Sequence, residues 1–145
     1  MKSPYARLGI AIGINTVVMF FLTYALLDSF DHFYVNINRI YMALLMAAPM
    51  VIVMLVVMRS MYGDTRMNAI IGAGAVLVFV GALAGMRTQT PVGDDQFLRS
   101  MIPHHSSAIV MCEEADISNP EIKELCDEIV ETQKREIAEM KALLD

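Results

Sequence analysis

Two adjacent imidazoles with thioethers on either side are the part of this 145-residue chain best equipped for chemistry. Met101-Ile-Pro-His104-His105 is followed six residues later by Met111. On a helix, residues three and four apart are neighbours, so both rings can come near the sulfur of Met101. Thioether sulfur is soft and uncharged, and imidazole is intermediate. Together they favour copper, Cu(I) above all, over magnesium or calcium. Zinc would call for Cys or carboxylate beside its imidazoles. Met111 is one heptad from His104, about 10 Å along a helix axis, and cannot share its site unaided. Gln133, Glu136 and Met140 recur at spacings of three and four further on, where a facing helix could supply them. The candidate metal ligands are therefore His104, His105, Met101, Met111, Met140, Glu136 and Gln133. Met at helical spacing is also ordinary core filler. The same Gln and Glu could simply hydrogen-bond to buried imidazoles across an interface, with no metal.

The elements that must hold these residues begin in a membrane. The chain is 56% hydrophobic, more than an ordinary soluble domain. The excess lies in three uncharged blocks, Leu8 to Leu27, Ile40 to Met58 and Ala69 to Met86, of 20, 19 and 18 residues. Each is long enough to cross a bilayer as a helix. The first is long for a signal-peptide core and lacks a small-residue cleavage site, which predicts a retained span. Pro49 is expected to kink the second span. Gly81-x-x-x-Gly85 gives the third a close-packing pattern. Met42, Met46, Met50, Met54 and Met58 recur every four residues, but a step of four overshoots a helical turn by about 40°, so the row cannot line one straight pore.

Charge divides between the halves: residues 1–93 carry net +3 and residues 94–145 net −8. The acidic tail argues against nucleic acid as a partner. Lys2, Arg7, Arg59 and Arg66 flank the spans on one side, which predicts that side to be cytoplasmic. The Asp28–Arg39 loop and the C-terminal segment then face outward, and the expected location is a bacterial inner membrane with the C-terminal domain extracytoplasmic, in the periplasm. Asp28, Asp31 and His32 make at most a weak entry site in that loop, which reads as solvated.

The domain reading is a three-span unit over residues 1–87, a linker over 88–93 and a helical hairpin over 94–145. Asp94 or Asp95 is the expected N-cap of the first hairpin helix, and Pro103 is expected to break or kink it after about Met101. Ser118-Asn-Pro-Glu121 fits a capping box that opens the second. About 50 residues are too few for a sizeable core. The hairpin needs the membrane part, a cross-link or a second copy, and two copies would form a four-helix bundle. The expected partners are thus the lipid bilayer, a homodimer or higher homo-oligomer, and a copper-handling protein. Cys112 and Cys126 lie nearly symmetric about Asn119. They could form a disulfide, remain free buried thiols or add copper ligands.

The C-terminal segment, about Asp95 to Leu144, resembles the domain of unknown function family numbered 305. The carriers are Phe97-Leu98, Met101-Ile-Pro-His104-His105, Ala108-Ile109, Met111, Gln133, Glu136-Ile137, Met140 and Leu143-Leu144. The resemblance implies a ferritin-like helical domain outside the cytoplasm, with copper-associated members. It places ligands on Met101, His104, His105, Met111 and Met140, with Gln133 and Glu136 on the facing helix. The three spans lie outside it. Ferritin chemistry is not implied, because a di-iron site uses Glu-x-x-His pairs and Met101 stands three before His104. The fold class expected is all-α, three transmembrane helices followed by half of a four-helix bundle. The function expected is copper storage, buffering or delivery. The alternatives are a metal-free dimerisation module and a metal- or haem-dependent oxidoreductase. No catalytic residue is assigned, since nucleophile motifs and phosphate loops are absent from the sequence.

Overall fold

The computed structural model describes residues 3–144. Lys2, one of the residues used for orientation, lies outside them. Among the described residues the chain is all-α, with five helices and no strand: α1 Pro4–Leu22, α2 Ile37–Val57, α3 Thr65–Thr88, α4 Asp94–Glu114 and α5 Pro120–Leu144. A single 3-10 turn, Phe30–His32, lies between α1 and α2. The first three helices are long and apolar enough to cross a membrane. The contacts divide the chain into two compact units, one of residues up to Thr23 with Asn38–Pro91, the other of Tyr24–Ile37 with the residues from Val92 onward.

In the first unit, Ser3 caps α1 by accepting the Ala6 N–H, and Pro4 sits in the first turn where its missing N–H costs nothing. The helix stops at Leu22, so the apolar run to Leu27 is only partly helical. The Thr23 hydroxyl donates to the Phe20 carbonyl at this end, 2.6 Å away. Leu8, Leu55 and Tyr62 form the core of the unit, with Met54 and Met58 packed on it. Met42, Met46 and Met50 are exposed, so the Met row turns from the outside of α2 to its inside. That is the rotation a four-residue step produces on a 3.6-residue helix. The α2 helix continues through Pro49. Within Gly81-x-x-x-Gly85 only Gly85 is closely packed: a Cβ there would lie 2.5 Å from Tyr41 Cζ, while one on Gly81 meets nothing within 4 Å.

In the second unit, α4 and α5 form the hairpin, joined by the five residues Ala115 to Asn119. Two capping expectations need correction. Gly93, not an Asp, is the N-cap of α4, and Asp94 and Asp95 occupy its first turn, where negative charge suits the helix dipole. The α5 cap is Asn119, not Ser118: its Oδ1 accepts the Glu121 N–H at 2.8 Å and the Ile122 N–H at 3.4 Å. The disulfide between Cys112 and Cys126 ties the helices near the turn, with Cα atoms 5.3 Å apart. The core is small, made of Ile102, Ile109, Ile137 and Met140, with Tyr34, Leu98 and Val130 packed against it.

The α4 helix also runs through Pro103, so the expected end near Met101 is not a break in the helix. Proline leaves the carbonyl four residues earlier, that of Arg99, without its helical donor. The Asn36 side chain supplies the replacement, donating from Nδ2 to Arg99 O at 3.2 Å and to Tyr34 O at 2.9 Å. Asn36 is only 2% exposed. The segment between the first two spans is therefore a structural part of the hairpin rather than a solvated loop.

Candidate functional site

The predicted ligands separate into three environments. Met101 and Met140 meet in the apolar core: Met140 is 9% exposed and Met101 packs against the same cluster. His105 is buried between the helices. Its Nδ1 lies 2.9 Å from the Met101 carbonyl and its Nε2 2.8 Å from Glu136 Oε2. Both partners are acceptors, so both ring nitrogens donate when the ring is protonated. A metal ion at Nε2 would have to replace that bond to Glu136. His104 projects into solvent, its ring centroid 5.9 Å from that of His105 with the planes at 65°.

Helical periodicity explains the split. Adjacent residues differ by about 100° around the axis, so one His of the pair faces α5 and the other cannot. Phe97, His104 and Met111 are separated by seven residues each and form one outward row, with Phe97 50% and Met111 63% exposed. Gln133 is half-buried one turn before Glu136. Among the described residues, no group of three or more His, Cys, Asp or Glu side chains stands close enough to hold a metal ion. One hairpin thus brings together the His105–Glu136 pair with His104 beside it, and leaves Met111 apart.

The segment from Tyr24 to Ile37 contributes residues that sequence reasoning undervalued. His32 is buried, with Nδ1 3.0 Å from Ser106 Oγ. The same Oγ accepts the Asp28 N–H at 2.8 Å. Ser106 is fully buried, on the side of α4 opposed to His104. The Ile37 N–H donates to Gln96 Oε1 at 3.1 Å, and the Arg99 guanidinium lies 5.7 Å from the Tyr34 ring centroid. Asp31 pairs with Lys141 of α5. That bond, aided by the Ser29 hydroxyl, holds the Asp31 carboxyl down to about 2. Burial, reinforced by Lys141, pushes the His32 imidazole below its ordinary value, while Asp31 and Asp28 act in the opposite sense. The spacing of Asp28, Asp31 and His32 had marked this place; the need of Arg99 O for a donor was the signal for Asn36.

A family model described as Domain of unknown function (DUF305) matches residues 57–144, more than half of the chain, and the chain belongs to that family. The match begins at the end of α2 and takes in α3, so the third span lies inside the family region rather than outside it. A protein of Acanthamoeba polyphaga mimivirus, described only as uncharacterized, is 38% identical over 112 residues, covering 76% of this chain and 72% of the relative. A stretch of that share must include both α2 and α3, wherever it begins. No solved structure matches the chain.

Proposed function

We propose that this protein is a membrane-anchored metal-binding protein that stores, buffers or delivers copper. In this reading the hairpin is half of a ferritin-like four-helix bundle and faces away from the cytoplasm, where a copper-handling protein exchanges the ion with it. The observation that carries the reading is the His104 imidazole, exposed beside His105 and in an outward row with Met111. An exposed imidazole keeps a lone pair for a metal, and thioether donors select the soft cuprous ion. Met101 and Met140 contribute packing, which narrows the ligand set to His104, Met111, Gln133 and the His105–Glu136 pair. One chain does not complete a site, so a second hairpin supplies the remaining donors from its own outward row. In an isologous dimer each patch meets its own copy, which brings two His104 rings to one axis.

The test is a Cu(I) titration of the full-length, disulfide-bonded protein in mild detergent against a colorimetric chelator. His104→Ala is expected to lower affinity at least tenfold with the fold intact. Unchanged affinity in His104→Ala and in the His104→Ala/His105→Ala double variant would defeat the reading.

A second reading, a metal-free interaction module, is favoured by the 2.8 Å bond between His105 and Glu136. It expects His105→Ala to weaken self-association to the same extent with and without copper.

A further inference from the structure

The turn end of the hairpin carries two sulfur atoms that the copper reading above does not use. Cys112 and Cys126 lie on facing helices, both only half-buried. They open onto a groove of about 620 Å³ whose wall also includes Glu113, Asp116, Lys123 and Lys134. A bridge buried in a core would be sealed from other thiols, whereas this one can be approached from solvent. We propose that Cys112 and Cys126 form a redox-gated soft-metal site: closed as the disulfide, and a two-thiolate Cu(I) site once a dithiol reductant has opened it.

Three features of the site support this. First, the thiols stay within reach of each other after reduction. Only Ala115 to Asn119 connect the helices, and the core residues Ile109 and Ile137 hold them together on the far side of the bridge. Second, the separation suits an ion. A metal–thiolate bond is about 2.3 Å, so an ion between two sulfurs needs them about 4.6 Å apart. Side-chain rotation alone can reach that from Cα atoms 5.3 Å apart. Third, thiolate is a soft ligand that selects Cu(I), and a two-thiolate complex of Cu(I) is anionic. The groove wall sets four carboxylates, Glu113, Asp116, Asp127 and Glu131, against Lys123 and Lys134, so it draws in a cation, and the two sulfurs rather than the surrounding charge hold it.

The step balances. A reduced dithiol attacks the bridge, passes through a mixed disulfide and leaves as its own disulfide, giving Cys112 and Cys126 as two thiols. Cu(I) then binds both sulfurs and two protons are released. No change in copper oxidation state is required, and His104 and His105 take no part.

The experiment counts Cu(I) per chain on the full-length protein in detergent in two states: as the disulfide, and after reduction by a phosphine that is then removed. The reduced protein is expected to bind one more equivalent than the oxidised protein and to gain a thiolate-to-copper charge-transfer absorption. Cys112→Ser/Cys126→Ser, treated in the same way, should stay at the oxidised count. Should that variant fold poorly, reduced wild-type protein alkylated at both thiols replaces it, with the same expectation. Equal counts in the oxidised and reduced protein would overturn the proposal, as would the same increment in the variant or the alkylated protein. The oxidised arm tests the His104 site alone, so failure of either reading is seen separately.

Discussion

The two ends of the hairpin solve one problem by different means. Near the turn, α4 and α5 are held by a covalent bond between Cys112 and Cys126, with the Lys134–Glu113 pair beside it. At the other end no cross-link exists among the described residues, and the chain instead brings in the segment Tyr24 to Ile37. That segment places Tyr34 on the core, Asn36 on the carbonyl freed by Pro103, and His32 on Ser106. A core of four buried residues cannot order a domain of this size alone. One end is consequently sensitive to reductant and the other to acid and to polar substitutions, which makes the two separable by experiment.

The largest effect is expected in the shared core. Ile102→Ala removes a fully buried side chain at the end where the segment docks. It should lower the opening free energy of the hairpin by about 4 kcal/mol, read by amide hydrogen exchange. Equal protection in variant and wild type would mean that the hairpin core does not set its stability. Next comes loss of the bridge. Closing a loop of this length with a disulfide contributes about 3 kcal/mol in the chain-entropy account. Reduction should therefore raise exchange near the turn while leaving residues 94–102 protected. A uniform rise along both helices would show that the two ends are one cooperative unit.

Asn36→Ala comes third. It strips the donor from Arg99 O and leaves a buried carbonyl unpaired, a cost of about 2 kcal/mol. Exchange should rise around Pro103 and in Tyr24 to Ile37, with the turn end unchanged. If the turn end loosened equally, the contrast between the ends would fail.

Acidification is expected to act least, and on the segment alone. His32 has its imidazole lowered when docked, so its contribution is present above pH 6.5 and lost as the pH falls below that value. The Asp31 carboxyl is held down to about 2, so the contribution of its pair with Lys141 is present above pH 3.8 and is lost as the pH falls from there to about 2. Amides of the segment should exchange faster as the pH drops from about 7 to about 5, after correction for the intrinsic rate. His32→Gln should remove that first step and keep the one at lower pH. A first step that survives the substitution would assign it to another group.

Much of this was legible in the residues. Uncharged runs located three helices, although Tyr24 to Leu27 left the first of them because the Tyr24 side chain is buried in the second unit, its hydroxyl donating to Tyr34 O at 2.8 Å. The symmetry of Cys112 and Cys126 about Asn119 anticipated a bridge as one of three options, and the tertiary structure chose it by setting the Cα atoms 5.3 Å apart. The candidate ligands were found by type and spacing, but spacing could not sort them. Met101 and Met140 look the same as Met111 in a pattern, yet two pack in the core and one faces outward.

What the sequence by itself determined is whatever depends on near neighbours: the helical class, the three apolar runs, and the placing of His104 and Met111 on one row. These follow from the period of the helix and from the hydropathy of contiguous residues. What only the tertiary structure decided is whatever joins residues far apart in the chain: Asn36 to Arg99, His32 to Ser106, Asp31 to Lys141 and Glu136 to His105. A carbonyl orphaned by proline specifies that it needs a donor, but not which of the distant donors reaches it.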